Sequence, residues 1–197
     1  MIEAISSVRV GVCPTHLKFV GSLVPDGAGS LPRDEGGETR ILAGIKRLVA
    51  GSPAPFSVVQ LSVFSGTRQG DVVEVMTGIK ELGLVPEVIL MIGGVDPMNP
   101  DDEDRFVALA NEALGTAKSL GITSVSSTSF ENWMNTQARK EGADYQAAVA
   151  QVVKAHVRAY QESELAASCV GRWQLEFLRP VEFSTFTDLG RSWDVVR

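Results

Sequence analysis

The chain has 197 residues, 44% hydrophobic and 21% charged, with a net charge of −6. That is the composition of a soluble globular protein long enough for one domain (1–197) with a sizeable core. The acidic balance disfavours a nucleic-acid surface, which needs a basic face to neutralise phosphates.

The start, Met1-Ile2-Glu3-Ala4, has no basic n-region and no long apolar stretch, so no signal peptide is expected. No run of about 18 apolar residues occurs, so no membrane span is expected either. Cys13 and Cys169 lie far apart with no CxxC spacing. They are expected to be reduced, buried thiols of a cytoplasmic protein rather than a disulfide or zinc framework.

Val8–Pro14 reads as a first strand, stopped by proline, with Thr15–Phe19 as the loop at its C-terminal end. Gly21–Gly37 is rich in glycine and poor in apolar residues, which predicts a long, mobile surface loop. Ile41, Leu42, Ile45, Leu48 and Val49 then recur at helical spacing within Glu38–Ala50. Phe56–Phe64 is a second strand, rich in β-branched and aromatic residues. Gly70–Leu82 is a helix, stopped by Gly83. Val85–Ile92 is nearly continuous in apolar residues, as expected for a buried parallel strand.

After the Gly93–Pro100 loop, Asp101–Asp104 opens a helix with acids at the positive end of its dipole, and Gly121 ends it. Ile122–Ser127 is a fourth strand, and Thr128–Glu141 an irregular excursion around Phe130 and Trp133. A fourth helix is expected over about Asp144–Leu165, a fifth strand ending near Glu176, and a last helix within Thr187–Arg197. The alternation β-α-β-α-β-α-β-α-β-α predicts an α/β fold with a parallel sheet and right-handed crossovers. A (β/α) barrel suits the short units, and an open doubly wound sheet is the structural alternative. No GxGxxG follows the first strand, which disfavours a dinucleotide site.

The stretch with most chemical content is Trp173-Gln174-Leu175-Glu176-Phe177-Leu178-Arg179-Pro180. As a strand it places Trp173, Leu175 and Phe177 on one face and Gln174, Glu176 and Leu178 on the other. A carboxylate among apolar neighbours is costly to bury unless something pairs with it. Glu176 is either a metal or substrate ligand at the C-terminal mouth of a parallel sheet, or an edge-strand acid paired to Arg179.

Trp173–Pro180 resembles the xylose-isomerase-like barrel superfamily of sugar isomerases and epimerases. So do Phe56–Gly94, the phrase Leu82-Gly83-Leu84-Val85-Pro86, and Ala117–Ile122. The likeness runs from about Val8 to Arg197. It implies a divalent metal site (manganese, magnesium or a related ion) built from an acid at the end of strand five, an acid after strand six, a histidine or acid after strand seven and an acid after strand eight. Glu176 matches the first of these. Such an ion takes carboxylate oxygen and imidazole nitrogen, and polarises a sugar carbonyl while carboxylates move the proton between neighbouring carbons.

The departure from the family is that little more than one helix follows Glu176. A complete barrel takes about 250 residues. The sequence therefore reads as an incomplete parallel (β/α) barrel of about five βα units, lacking strands six to eight and their ligands. Truncation is one explanation, with little or no turnover expected of the chain alone. Pairing with itself or a second chain to close the sheet is the other.

Within the resemblance His16, after strand one, is a candidate for substrate binding, or else a polar loop residue. Trp133 is a candidate to stack on a sugar, or else pins its loop. Arg179 orients Glu176 or binds an anionic group. Glu182 and Asp188 are the nearest further acids. His156 reads as a satisfied helix residue rather than a ligand. Gly93-Gly94 reads as an unusual turn, and Asp96 as a hydroxyl contact or a turn cap. The expected partner is a small-molecule sugar, with no nucleic acid and no membrane, and a homo-oligomer is one option. The same superfamily resembles apurinic-site nucleases, which the acidic charge disfavours.

Overall fold

The structure is a computed structural model that describes residues 10–13, 24–134 and 137–197. The chain divides into two compact units, Met1–Val88 and Ile89–Arg197.

In the first unit β1 (Gly11–Val12) pairs in parallel with β2 (Val58–Phe64), Gly11 opposite Val58 and Val12 opposite Val59. Two helices follow the alternation, α1 (Arg40–Gly51) and α2 (Gln69–Glu81), and they pack on each other. The apolar positions read from the 3.6-residue period are the buried ones: Ile41, Leu42 and Ile45 on α1, Val72, Val75, Met76 and Ile79 on α2. The two helices meet at Gly78, where a Cβ would stand 2.5 Å from Leu42 Cδ2. Glycine is there because the neighbouring helix leaves no room for more.

The described part of the glycine-rich stretch, 24–37, lies largely at the surface but is anchored to α2. Leu31 is buried, and its N–H donates to Asp71 Oδ2 at 2.7 Å. Arg33 Nη2 donates to Asp71 Oδ1 at 2.6 Å and to Glu74 Oε2 at 2.8 Å, and Thr39 N donates to Glu74 Oε1 at 3.0 Å. Gly29 has φ +80°, and its absent Cβ would lie 2.4 Å from the Gly66 carbonyl oxygen. Gly29 permits a close backbone approach rather than freedom. Composition alone does not distinguish the two.

The strand β3 (Val85–Met91) runs through the division. At its start, in the first unit, Val85 N donates to Ser57 O; at its end, in the second unit, Thr128 N donates to Leu90 O. In the second unit β4 (Ser124–Ser127) pairs in parallel with β5 (Arg172–Leu175), Val125 opposite Trp173 and Ser127 opposite Leu175. The five-stranded sheet has the order β1-β2-β3-β4-β5. This is the α/β alternation expected.

The helices of the second unit are α3 (Glu103–Ser119), α4 (Gly142–Glu162) and α5 (Leu189–Val196). A single 3₁₀ turn at Pro100–Asp102 leads into α3, with Asn99 accepting from Asp101 N. Glu103, buried at the start of α3, receives Gln151 Nε2 at 2.9 Å, Lys154 Nζ at 2.7 Å and Arg158 Nη1 at 3.2 Å from α4. Those donors, led by Gln151, hold its carboxyl down at about 2.

The irregular stretch after β4 is a piece of core. Phe130 is fully buried and stacks on Phe186 with ring centroids 5.1 Å apart. Met98, Tyr145, Ala148, Val152 and Phe183 complete the cluster, with Leu175 and Leu178 packed against it. Neither cysteine is in a disulfide, as expected, but both are exposed, not buried as the residue type suggested.

Candidate active site at the end of the fifth strand

Glu176 stands one residue past β5, and its N–H donates to Ser127 O at 2.9 Å, carrying the β4–β5 ladder beyond the strand. Leu175 turns to the apolar cluster, so by alternation Gln174 and Glu176 turn to the opposite face. Glu176 is exposed there. Its pKa is nevertheless raised, first because the strand end strips part of its hydration and second because the Glu182 carboxylate stands near it.

Arg179 does not pair with Glu176. Its Nε donates to Glu182 Oε2 at 2.7 Å, an i,i+3 ion pair in the turn after β5. Glu182 O in turn accepts Met134 N at 3.0 Å, which ties the loop after β4 to the loop after β5. Trp133, on that first loop, is packed against the Phe130–Phe186 cluster. His16 lies outside the described residues. Asp188 caps α5 by accepting Arg191 N. Asp96 is a turn cap, accepting Met98 N at 3.1 Å, and also accepts Gln137 Nε2 at 2.7 Å.

Among the described residues no group of three or more His, Cys, Asp or Glu side chains could hold a metal ion. Glu176 and Glu182 bring two carboxylates toward one place, but one of them is already engaged by Arg179. These residues do not by themselves fit a divalent ion.

Two arrangements near the site were not read from the sequence. Glu131 is 1% exposed, and its carboxylate accepts Ser184 N and Oγ on one oxygen and Thr185 N and Phe186 N on the other, at 2.8–3.0 Å. It clamps the chain that follows Glu182. The second is a buried polar row. Trp173 Nε1 donates to Ser127 Oγ at 2.9 Å, Ser127 Oγ lies 2.7 Å from Ser129 Oγ, and Ser129 Oγ lies 2.8 Å from His156 Nε2. His156 Nδ1 lies 2.8 Å from Val152 O. The run Ser126-Ser127-Thr128-Ser129 in and after a buried strand was the available signal, since buried hydroxyls demand partners.

No family model matches the sequence, and no curated protein does. Solved structures do. An L-ribulose 3-epimerase is 17% identical with a TM-score of 0.62, over 96% of this chain and 58% of its own. A D-psicose 3-epimerase from Clostridium cellulolyticum H10 is 13% identical with a TM-score of 0.59, over 96% of this chain and 59% of its own. A protein assigned as a sugar phosphate isomerase/epimerase from Anabaena variabilis ATCC 29413 is 12% identical with a TM-score of 0.68, over 96% of this chain and 60% of its own. The chain thus spans about three-fifths of the length of these structures. Its fold is that of the sugar-epimerase (β/α) barrels over that span, as the resemblance to the xylose-isomerase-like superfamily implied.

Proposed function

We propose that the chain is a sugar isomerase or epimerase-like protein acting on a small sugar or keto-sugar. Glu176 would supply one oxygen ligand of a divalent cation, manganese or magnesium, whose other ligands lie outside the described residues. The observation that carries this reading is the place of Glu176, a carboxylate one residue past the C-terminal end of β5, in a fold shared with sugar epimerases. Trp133 and Arg179 belong to the substrate side of this proposal, the first as a wall and the second through its hold on Glu182. His16 keeps its place as a candidate for the same side. A cytoplasmic setting, where cysteines stay outside disulfides, suits the reading.

The test is calorimetric titration of Mn²⁺ into the wild-type chain and Glu176→Gln. Binding should weaken more than about tenfold in the variant. Equal affinity in both proteins removes Glu176 from the site. A ketose–aldose exchange assay with Mn²⁺ on the same two samples reports whether the chain alone turns over.

A second reading, a non-catalytic half-barrel that assembles with itself or a second chain, has its own support. Phe177, Val181, Leu189, Trp193 and Val196 are all exposed, and β5 is the last strand of the sheet order. A strand with one neighbour and a helix with an uncovered apolar stripe invite association.

A further inference from the structure

We propose that Ser127 is a positioning residue for Glu176, and that its hydroxyl is aimed by the buried row through Ser129 to His156. The inference rests on the reading of Glu176 as the functional acid.

The direction of the row is fixed by chemistry. Val152 O can only accept, so His156 Nδ1 carries the proton, and on the buried, neutral ring Nε2 is then an acceptor. Ser129 Oγ must then donate to Nε2. Its oxygen is left to accept from Ser127 Oγ, whose own oxygen accepts the indole N–H of Trp173, a group that can only donate. Every hydrogen points from β5 toward α4. No member can turn without stranding a buried polar atom. Ser127, Ser129 and His156 are buried, and the imidazole is flanked by Phe106 at 4.8 Å and Trp173 at 5.3 Å between ring centroids. No water has to be invoked to complete the row.

Ser127 holds β5 at two points. Its hydroxyl fixes the Trp173 side chain on the helix side, and its carbonyl takes the Glu176 N–H. Trp173 and Glu176 lie three residues apart on opposite faces, so the pair of bonds sets both the twist and the end point of the strand. Where that end point lies decides how near the Glu176 carboxyl comes to Glu182.

The test uses the full chain and residue-resolved NMR. In wild type, the ¹⁵N spectrum should show His156 as the Nδ1–H tautomer at neutral pH. Amide exchange is then compared in wild type, Ser127→Ala and Ser129→Ala. The second variant removes the row's middle link and touches no residue of β5. Both variants should speed exchange of the Glu176 amide about tenfold or more while Phe106 and Val107 in α3 exchange as in wild type. A Glu176 amide unchanged in Ser129→Ala, or one that speeds only in step with the α3 amides, shows a merely structural row and overturns the proposal. So does the Nε2–H tautomer. Trp173→Phe, which keeps the ring and deletes the donor, serves if Ser127→Ala fails to fold. Mn²⁺ broadening of Glu176 side-chain signals in the same samples judges the cation reading separately. Its absence leaves the exchange result to stand on its own.

Discussion

Glu131 and His156 show how much of this protein rests on single buried polar side chains. Glu131 receives four hydrogen bonds, three of them from consecutive backbone amides. Glu131→Gln keeps the shape but turns an NH₂ toward amide donors. A loss of about 2–4 kcal/mol is expected in urea unfolding, as for other buried polar groups left facing the wrong partner. A loss below about 0.5 kcal/mol would mean that the clamp is dispensable. His156 is held neutral by burial, with its pKa pushed down to about 4 against 6.5 when unfolded. The unfolded chain therefore takes up a proton that the folded chain refuses as pH falls below 6.5. Stability is undiminished above 6.5 and drops by about 3 kcal/mol by pH 4. Tm followed from pH 7.5 to 5 in wild type and His156→Gln should fall more steeply in the wild type. Glu131's role was not legible in the sequence; His156 was legible as a satisfied helix residue, but not its partners. A lone acid in a loop and a lone histidine on a helix carry no sign of their partners, which lie 53 and 27 residues away in the chain.

At the scale of elements the sequence was a better guide. Hydrophobic periodicity found α1 to α5 and the strands to within a few residues, because burying one face against a sheet demands that spacing. It misjudged the described part of Gly21–Gly37, where glycine content concealed Leu31 as a core residue, whereas 128–134 is irregular around Phe130 as expected. Where two helices touch, the size of one side chain decides the contact. Gly78→Ala gains about 1 kcal/mol of helix propensity but drives a methyl into buried Leu42, at a cost of about 1–3 kcal/mol. A net loss of about 1 kcal/mol is expected. Pairing it with Leu42→Val should recover part of it in a double-mutant cycle. The α3–α4 contact predicts a further pH dependence. With its folded pKa at about 2 against 4.5, Glu103 contributes stability above pH 4.5 that is lost as pH falls toward 2. Glu103→Gln should flatten the Tm profile in that window.

For the whole molecule, the charge and composition excluded more than they identified, and the family resemblance supplied what periodicity could not. The parallel alternation was visible in the sequence, and the match to epimerase structures agrees with it. What the candidate site does with substrate was not legible, because a lone carboxylate at a strand end is compatible with several chemistries. Surface is where the whole chain makes a prediction. Leu189, Trp193 and Val196 lie along one exposed side of α5. If that side is an interface, sedimentation should show association that rises with concentration, and Trp193→Glu should shift it toward monomer. A monomer at every concentration, insensitive to Trp193→Glu, would leave the stripe without a self-partner.

The order of strands in the sheet is also the order in which they are synthesised. Each new strand therefore emerges beside a template already laid down, and no segment must wait for a distant one before it can dock. A polypeptide built this way can accrete on the ribosome one βα step at a time, with short loops to close and little backtracking. The growing rim is always the newest strand, so the vulnerable moment in its biogenesis moves along with translation.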